Sequence, residues 1–142
     1  MSETSVPRWF WIVAVLALLW NAVGAMSYLQ QVTMTPEALA AMPAAERALH
    51  EDLPPWVTGA YAIAVWAGLI ASVFLLLRRS VATVVFLVSL AAIVVQMFYS
   101  FVMSDTLKVY GPQGAILPVL VTLLGVVWVW HARRCQARGW LR

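Results

Sequence analysis

The chain has 142 residues, of which 63% are hydrophobic and 11% are charged, and its mean hydropathy is +0.86. Soluble domains carry about 25% charged residues, so this composition excludes an ordinary soluble protein and predicts a membrane protein. The net charge of +3 does not indicate nucleic-acid binding, because the basic residues cluster beside apolar runs, where membrane topology accounts for them.

Four apolar segments are each long enough to cross a bilayer, which takes about 20 helical residues. They predict an all-α fold: one membrane domain over 1–142 that forms a four-transmembrane-helix bundle, with a short interfacial helical segment in the first outer loop. The predicted segments are helix 1 at about 9–31, the outer loop at 32–55, helix 2 at about 56–77, helix 3 at about 81–103, helix 4 at about 114–131 and a basic cytoplasmic tail at 132–142.

Helix 1 carries one amide, Asn21, in the middle of its apolar run. The face around it holds small residues such as Ala17 and Gly24, so we expect Asn21 to face other helices instead of lipid. A cleaved signal peptide is the alternative for this segment. We disfavour it because the leader MSETSVPR has one acid and one base, and because the apolar run exceeds the usual 7–15 residues.

The outer loop contains a helix-start signal at Thr35-Pro36-Glu37, which combines a hydroxyl cap, a proline at the first helical position and an acid in the first turn. A second short helix is predicted after Pro43, with Ala45, Ala48 and Leu49 turned inward. The segment is interpreted as an interfacial connector, and the alternative is a lid over a cavity.

Small residues recur at four-residue spacing along helix 2, at Ala60, Ala64, Gly68 and Ser72. This pattern predicts close helix packing, since small residues let two backbones approach each other in lipid. The Arg78-Arg79-Ser80 turn then leads directly into helix 3, so helices 2 and 3 are predicted to form an antiparallel hairpin.

The polar and small residues of helix 3 are predicted to share one face, which includes Ser89, Gln96 and Ser100. In helix 4, Pro118 is placed one turn inside the helix, where it would produce a kink. The tryptophans near the basic tail, Trp128, Trp130 and Trp140, are interpreted as an interfacial belt.

The orientation follows from the distribution of Lys and Arg. One predicted side of the membrane holds seven of them: Arg8, Arg78, Arg79, Arg133, Arg134, Arg138 and Arg142. The other side holds only Arg47 and Lys108. By the positive-inside rule both termini are predicted to be cytoplasmic.

The residues exclude most membrane chemistry. No Asp, Glu, Lys, Arg or His falls in the central part of a predicted helix, where a proton relay would need one. His50 and His131 are predicted on opposite sides of the bilayer as solvated or interfacial residues, so they cannot share a haem or a metal ion. The lone Cys135 cannot form a Cys-x-x-Cys pair. We therefore predict no enzymatic activity, no cofactor and no metal site.

One uncharged polar cluster is the candidate site. By the helical rise, Asn21 and Gln96 lie about 18 and 24 Å from the cytoplasmic ends of their helices, in the outer half of the bundle near Tyr61. The full candidate set is Asn21, Tyr61, Gln96, Ser100, Ser27, Trp20 and Trp66. Amides and hydroxyls beside aromatic rings suit a neutral polyhydroxy solute or a quinone-like head group. The alternative, which we favour, is that Asn21 and Gln96 bond each other or nearby backbone and so hold the helices together.

Several stretches resemble a group of small four-helix bacterial membrane proteins that are often catalogued as sugar transporters. They are Trp9-Phe-Trp-Ile, Trp20-Asn21-x-x-Gly24, Met34-Thr35-Pro36-Glu37, Pro55-Trp56-Val-Thr, the Arg78-Arg79 turn and Gln96-Met-x-Tyr-Ser-Phe. The general outline is also similar to DoxX-like proteins. The resemblance implies a bacterial inner-membrane protein and carries no motif for an activity.

Two functions remain. The first is a non-enzymatic accessory or binding subunit of the inner membrane. The second is an oligomeric permease for a small neutral solute such as a sugar. The expected partners are the lipid bilayer, a second copy of the chain or another membrane subunit, and a small neutral ligand, without nucleic acid.

Overall fold

The computed structural model describes residues 5–142, and over this range the chain is helical without strands. Residues 1–4, which belong to the leader in the signal-peptide argument, lie outside the described range. The helices are α1 (Arg8–Val32), α2 (Pro36–Ala40), α3 (Ala44–Glu51), α4 (Pro55–Leu76), α5 (Val81–Phe98), α6 (Thr106–Tyr110) and α7 (Ile116–Ala137). A π-helical turn, Tyr99–Met103, extends α5, and a 3₁₀ turn, Gly111–Ala115, precedes α7.

Four helical segments are long and apolar enough to span a membrane: Arg8–Val32, Pro55–Leu76, Val81–Met103 and Thr106–Ala137. The predicted all-α class and the four apolar helices are therefore confirmed. The short helices α2 and α3 occupy the predicted outer loop, and Thr35 caps α2 as predicted, its Oγ1 accepting a hydrogen bond from the Ala38 N–H.

The long helices pack in sequence order, α1 against α4, α4 against α5 and α5 against α7. All four members of the small-residue ladder on α4 are buried, which confirms the packing face that the four-residue spacing predicted. Gly24 of α1 lies at the same contact, since a Cβ built there would meet Cγ1 of Val65 at 3.4 Å. Small side chains thus let α4 lie between its two neighbours.

The two ends of the bundle differ. We call the end with the start of α1, the α4–α5 turn and the end of α7 the basic end, and the end with α2, α3 and α6 the loop end. A buried apolar cluster, here the end cluster, fills the basic end; it consists of Phe10, Ala14, Ala71, Leu75, Ala82, Phe86, Val129, Ala132, Cys135 and Leu141. The core is therefore densest at the basic end.

The predicted end of helix 4 at residue 131 is wrong, because α7 continues to Ala137 through the basic tail. Arg, Gln and Ala are good helix formers, and cations are favoured at a helix C-terminus. The helix ends in a Schellman motif: Gly139 has φ 76°, its N–H bonds the Gln136 carbonyl, and the Trp140 N–H bonds the Cys135 carbonyl.

The residues after α7 return to the α4–α5 turn. The Arg142 N–H donates to the Arg78 carbonyl at 2.7 Å, and the Ser80 N–H donates to the Arg142 carbonyl at 2.6 Å. Arg78 itself has φ 57° and donates from Nε to the Trp140 carbonyl at 2.8 Å. The end of the chain and the α4–α5 turn thus form one hydrogen-bonded unit at the basic end.

Other local predictions are corrected. Pro118 lies in the first turn of α7 and not one turn inside it, and there its missing N–H breaks no intrahelical bond. His131 is not solvated: it is 6% exposed, with the rings of Trp9 and Phe10 beside it. Trp128 is half-buried within the bundle and is not part of an outward belt.

On α3, Ala45 and Ala48 are exposed, whereas Leu49 is half-buried as predicted. The reason is that α3 has turned Leu49 and His50 toward the bundle, where both line a cavity at the loop end.

Candidate functional site

A cavity of about 240 Å³ lies between the four long helices, and each of them contributes to its wall. Its lining residues are Trp20, Asn21, Val23, Gly24 and Ser27 of α1, Tyr61, Ala64 and Val65 of α4, Phe86, Ser89, Ile93 and Gln96 of α5, and Leu117, Val121, Gly125 and Trp128 of α7. A cavity needs only about 10–15 Å³ to hold one water molecule, so this one has room for a larger occupant. We call it the inner cavity.

Asn21 is bonded on both sides of its amide nitrogen. Nδ2 donates to the Ala17 carbonyl at 2.8 Å and to Oγ of Ser72 at 3.2 Å. The Ser72 hydroxyl in turn donates to the Gly68 carbonyl at 2.8 Å. This chain of bonds ties α1 to α4. Because an amide nitrogen has two hydrogens, Nδ2 has none left for Gln96.

The prediction that Asn21 pairs with Gln96 is wrong, whereas the prediction that it bonds nearby backbone is confirmed by its bond to the Ala17 carbonyl. Both residues line the inner cavity, but the partner of Asn21 is Ser72. Among the described residues no hydrogen bond of the Gln96 side chain is found. Asn21 thus has the interhelical role that the sequence predicted, whereas the amide of Gln96 is left for another partner.

Gly68 lies at the closest approach of three helices. A Cβ built on it would overlap Oδ1 of Asn21 from α1 and would lie 3.2 Å from Oγ of Ser89 on α5. Because this Cβ would occupy the direction of one Cα hydrogen, Gly68 points a Cα–H at the Asn21 oxygen. Such contacts are weak hydrogen bonds that recur between closely packed helices.

Two further hydroxyls of the inner cavity are bonded to backbone. Ser89 donates to the Ala64 carbonyl at 2.6 Å, which ties α5 to α4, and Ser27 donates to the Val23 carbonyl at 3.0 Å within α1. The donors of these groups are used within the protein, so the wall is less polar than its residue names suggest.

A second cavity, of about 190 Å³, lies at the loop end, and we call it the vestibule. It is lined by Gln31, Leu49, His50, Leu53, Val57, Tyr61, Gln96, Tyr99, Ser100, Ser104, Thr106 and Tyr110. Leu49 and His50 of α3, with Thr106 and Tyr110 of α6, bring the short helices to this wall. Tyr61 and Gln96 line both cavities.

The seven predicted site residues are partly brought together. Five line the inner cavity: Trp20, Asn21, Ser27, Tyr61 and Gln96. Ser100 lines only the vestibule. Trp66 lines neither cavity; it is 37% exposed and lies edge-on to Tyr28 at 6.3 Å between ring centroids.

Sequence reasoning missed the placement of two residues, Ser72 and Trp128. Ser72 was identified only as a ladder member, although its place one turn beyond Gly68 on the face toward α1 could have identified it as the partner of Asn21. Trp128 was assigned to the belt, although it lies one helical turn from Gly125 and on the same side of α7. Its Nε1 is buried and has no acceptor within the described part of the chain.

Of the residues that the structure describes, no Asp, Glu, Lys or Arg lies in the wall of either cavity. Over residues 5–142, no group of three or more His, Cys, Asp or Glu side chains is placed to hold a metal ion. His131 contacts Sγ of Cys135 at 3.5 Å in the end cluster, whereas His50 bonds the Glu46 carbonyl at 3.0 Å at the loop end.

Comparison of the chain with protein-family models, with curated proteins and with solved structures gave no match. The resemblance to small four-helix bacterial membrane proteins therefore stays a prediction.

Proposed function

We propose that this chain is a multi-pass protein of the bacterial inner membrane that binds a small uncharged ligand between its four long helices, as a binding or accessory subunit without catalytic chemistry. The observation that carries the proposal is the inner cavity, because all four helices contribute to its wall. Ligand sites in helical proteins commonly lie between the helices of a bundle.

The outer surface of the bundle supports membrane insertion. Large apolar side chains point outward along the long helices, for example Ile12 at 60%, Met26 at 64% and Leu123 at 59% exposure. A soluble protein rarely exposes contiguous apolar surface on this scale, whereas lipid covers it at no cost.

The choice of an uncharged ligand rests on the cavity walls. A charged ligand in a low-dielectric site needs an opposite charge or several strong hydrogen bonds, because removing an ion from water costs several kcal/mol or more. Within residues 5–142, neither wall receives a carboxylate, ammonium or guanidinium group.

A permease for a neutral solute is the second candidate. The shared wall residues Tyr61 and Gln96 favour it, because they place the vestibule directly beside the inner cavity. Against it, the end cluster fills the basic end; Phe10 and Leu75 are fully buried there, and Phe86 is 2% exposed. A path across the membrane would thus have to form between copies of the chain.

Native mass spectrometry from lipid nanodiscs tests the proposal. We expect the wild-type protein to retain a bound small molecule, and Val121→Phe, which puts a larger ring into the inner cavity, to lose it. Val119→Phe is the matched control, because Val119 lies on the same helix, is 47% exposed and is not part of the cavity wall. A wild-type spectrum without any adduct, or equal retention by both variants, would contradict the proposal.

A further inference from the structure

From the two adjoining cavities we infer a bipartite site for one uncharged amphiphile, whose polar head occupies the vestibule and whose apolar chain occupies the inner cavity. This inference rests on the proposed function and specifies its ligand class. The cavities measure about 190 and 240 Å³ and share the side chains of Tyr61 and Gln96. Together they reach the size of small-molecule sites, roughly 300–1,000 Å³.

The inner cavity suits an apolar chain because most of the hydrogen-bond donors between its ends are already bonded within the protein. Both hydrogens of the Asn21 amide, and the hydroxyl hydrogens of Ser27 and Ser89, are donated to protein acceptors. Nε1 of Trp128 is covered by protein, so the indole presents ring surface to the cavity. A sugar placed here would lose most of its hydrogen bonds to water, which costs free energy for each hydroxyl left unpaired.

The vestibule is more polar than the inner cavity, since most of its lining residues carry a hydroxyl, amide or imidazole group. His50 uses Nδ1 for the Glu46 carbonyl, which leaves Nε2 for another partner. The amide of Gln96 has no partner among the described residues, and it lies at the boundary between the two cavities. Hydroxyl and carbonyl groups of a neutral head could bond to these side chains.

The apolar chain has a route from the bilayer between α1 and α7. These two helices are not among the pairs that pack along their length. The aromatic contacts between them, Trp9 and Phe10 with His131, lie at the basic end. Farther along, Val23 of α1 is 60% exposed and Leu117 of α7 is 63% exposed, and both line the inner cavity. The side of the cavity between α1 and α7 is therefore open to lipid.

The test uses an alkyl glucoside with a photoreactive diazirine at the end of its chain, added to the wild-type protein in nanodiscs. We expect cross-links on α1 and α7 at cavity positions such as Val23 and Leu117, mapped by peptide mass spectrometry. Unlabelled dodecyl glucoside in excess should reduce the labelling about tenfold, because it competes for the same site. Free glucose and dodecyl phosphate at the same concentration should not reduce it.

Monoacylglycerol is the second competitor. It is a membrane lipid that, like dodecyl glucoside, has an uncharged hydroxylated head and one apolar chain. Competition by it and by dodecyl glucoside would identify a general neutral head, and competition by dodecyl glucoside alone would identify a glycoside; both results support the inference. Gln96→Leu should weaken labelling at the cavity positions, and Val121→Phe should abolish it, whereas Val119→Phe should leave it unchanged.

Competition by glucose equal to that of dodecyl glucoside would overturn the amphiphile and leave a sugar site. Equal competition by dodecyl phosphate, or labelling spread evenly over the outer surface, would overturn the inference as well. If native mass spectrometry still shows an adduct that Val121→Phe loses, the proposed function survives that failure. If no adduct is seen either, both fail.

Discussion

Gly68 shows how one residue can set the distance between three helices. Oδ1 of Asn21 occupies the space that a side chain at this position would need, and Oγ of Ser89 lies 3.2 Å from a Cβ built there. Gly59, on the same helix, has no neighbour within 4 Å of a built Cβ. Substituting each glycine in turn therefore distinguishes the effect of close helix packing from the general effect of glycine on helix stability.

We predict that Gly68→Ala destabilises the bundle and that Gly59→Ala does not. The added methyl at Gly68 must displace Asn21 or move α1 away from α4, and overpacking of this kind costs about 1–3 kcal/mol. At Gly59 the methyl enters open space, and alanine favours a helix by up to about 1 kcal/mol. Thermal unfolding in detergent, followed by circular dichroism, measures both variants. Equal melting temperatures for the two would show that Gly68 has room for a side chain.

The site could be predicted from the sequence only in part, and Asn21 shows why. Its position in an apolar run, on a face of small residues, predicted that it faces another helix, because an amide in lipid is costly. Its partner depends on how α1 is rotated and shifted against α4, and both Ser72 and Gln96 were polar residues at plausible heights. In the folded protein the partner is Ser72, and the spacing of residues within a single helix cannot predict this.

At the scale of elements, the four long helices could be predicted because lipid requires about 20 apolar residues for each span. The ends of these helices were harder to predict from the sequence. The π-helical turn Tyr99–Met103 and the 3₁₀ turn Gly111–Ala115 have no strong sequence signal. The extension of α7 to Ala137 was missed because charged residues were taken as the end of the membrane segment, whereas the helix itself continues beyond the apolar part to its glycine cap.

The contact between α1 and α4 should depend on the Asn21–Ser72 hydrogen bond. In a double-mutant cycle with Asn21→Ala and Ser72→Ala, we expect a coupling free energy of about 0.6 kcal/mol and at most about 1.7, the range for hydrogen bonds between membrane helices. The matched cycle uses Asn21→Ala and Gln96→Ala. Because these two side chains do not bond each other, their effects should add within about 0.3–0.5 kcal/mol.

Both cycles are measured as free energies of unfolding in the same detergent. A coupling in the Asn21–Gln96 cycle larger than that in the Asn21–Ser72 cycle would restore the pairing that the sequence suggested and contradict the observed one.

Over the whole molecule, the buried apolar core and the basic residues are both concentrated at the basic end. The end cluster fills the basic end, and the return of the chain to the α4–α5 turn ties that end together. The loop end instead holds the vestibule and short helices, of which α6 carries the exposed Lys108–Asp105 ion pair at 3.0 Å. The basic end is therefore filled by packed side chains, whereas the loop end contains a cavity.

The charge distribution also predicts how the molecule lies in its membrane. Arg8, the α4–α5 turn and the tail of α7 all lie at the basic end. This end therefore holds seven of the nine Lys and Arg residues of the chain. Since Lys and Arg are retained in the cytoplasm during insertion, we expect the basic end, with both termini, to be cytoplasmic.

Accessibility of single cysteines to a membrane-impermeant maleimide in intact cells tests this orientation. The background is Cys135→Ala, which removes the one buried thiol with a small change in volume. Ala44→Cys, at the exposed start of α3, should react in intact cells because the loop end faces outward, whereas Ser5→Cys, exposed just before α1, should react only after the membrane is permeabilised. The two variants control for each other, since both sites are exposed and differ in the end of the bundle that carries them. Reaction of Ser5→Cys in intact cells, with Ala44→Cys protected, would mean that the basic end faces outward. The vestibule, and with it the head of any bound amphiphile, would then open to the cytoplasm.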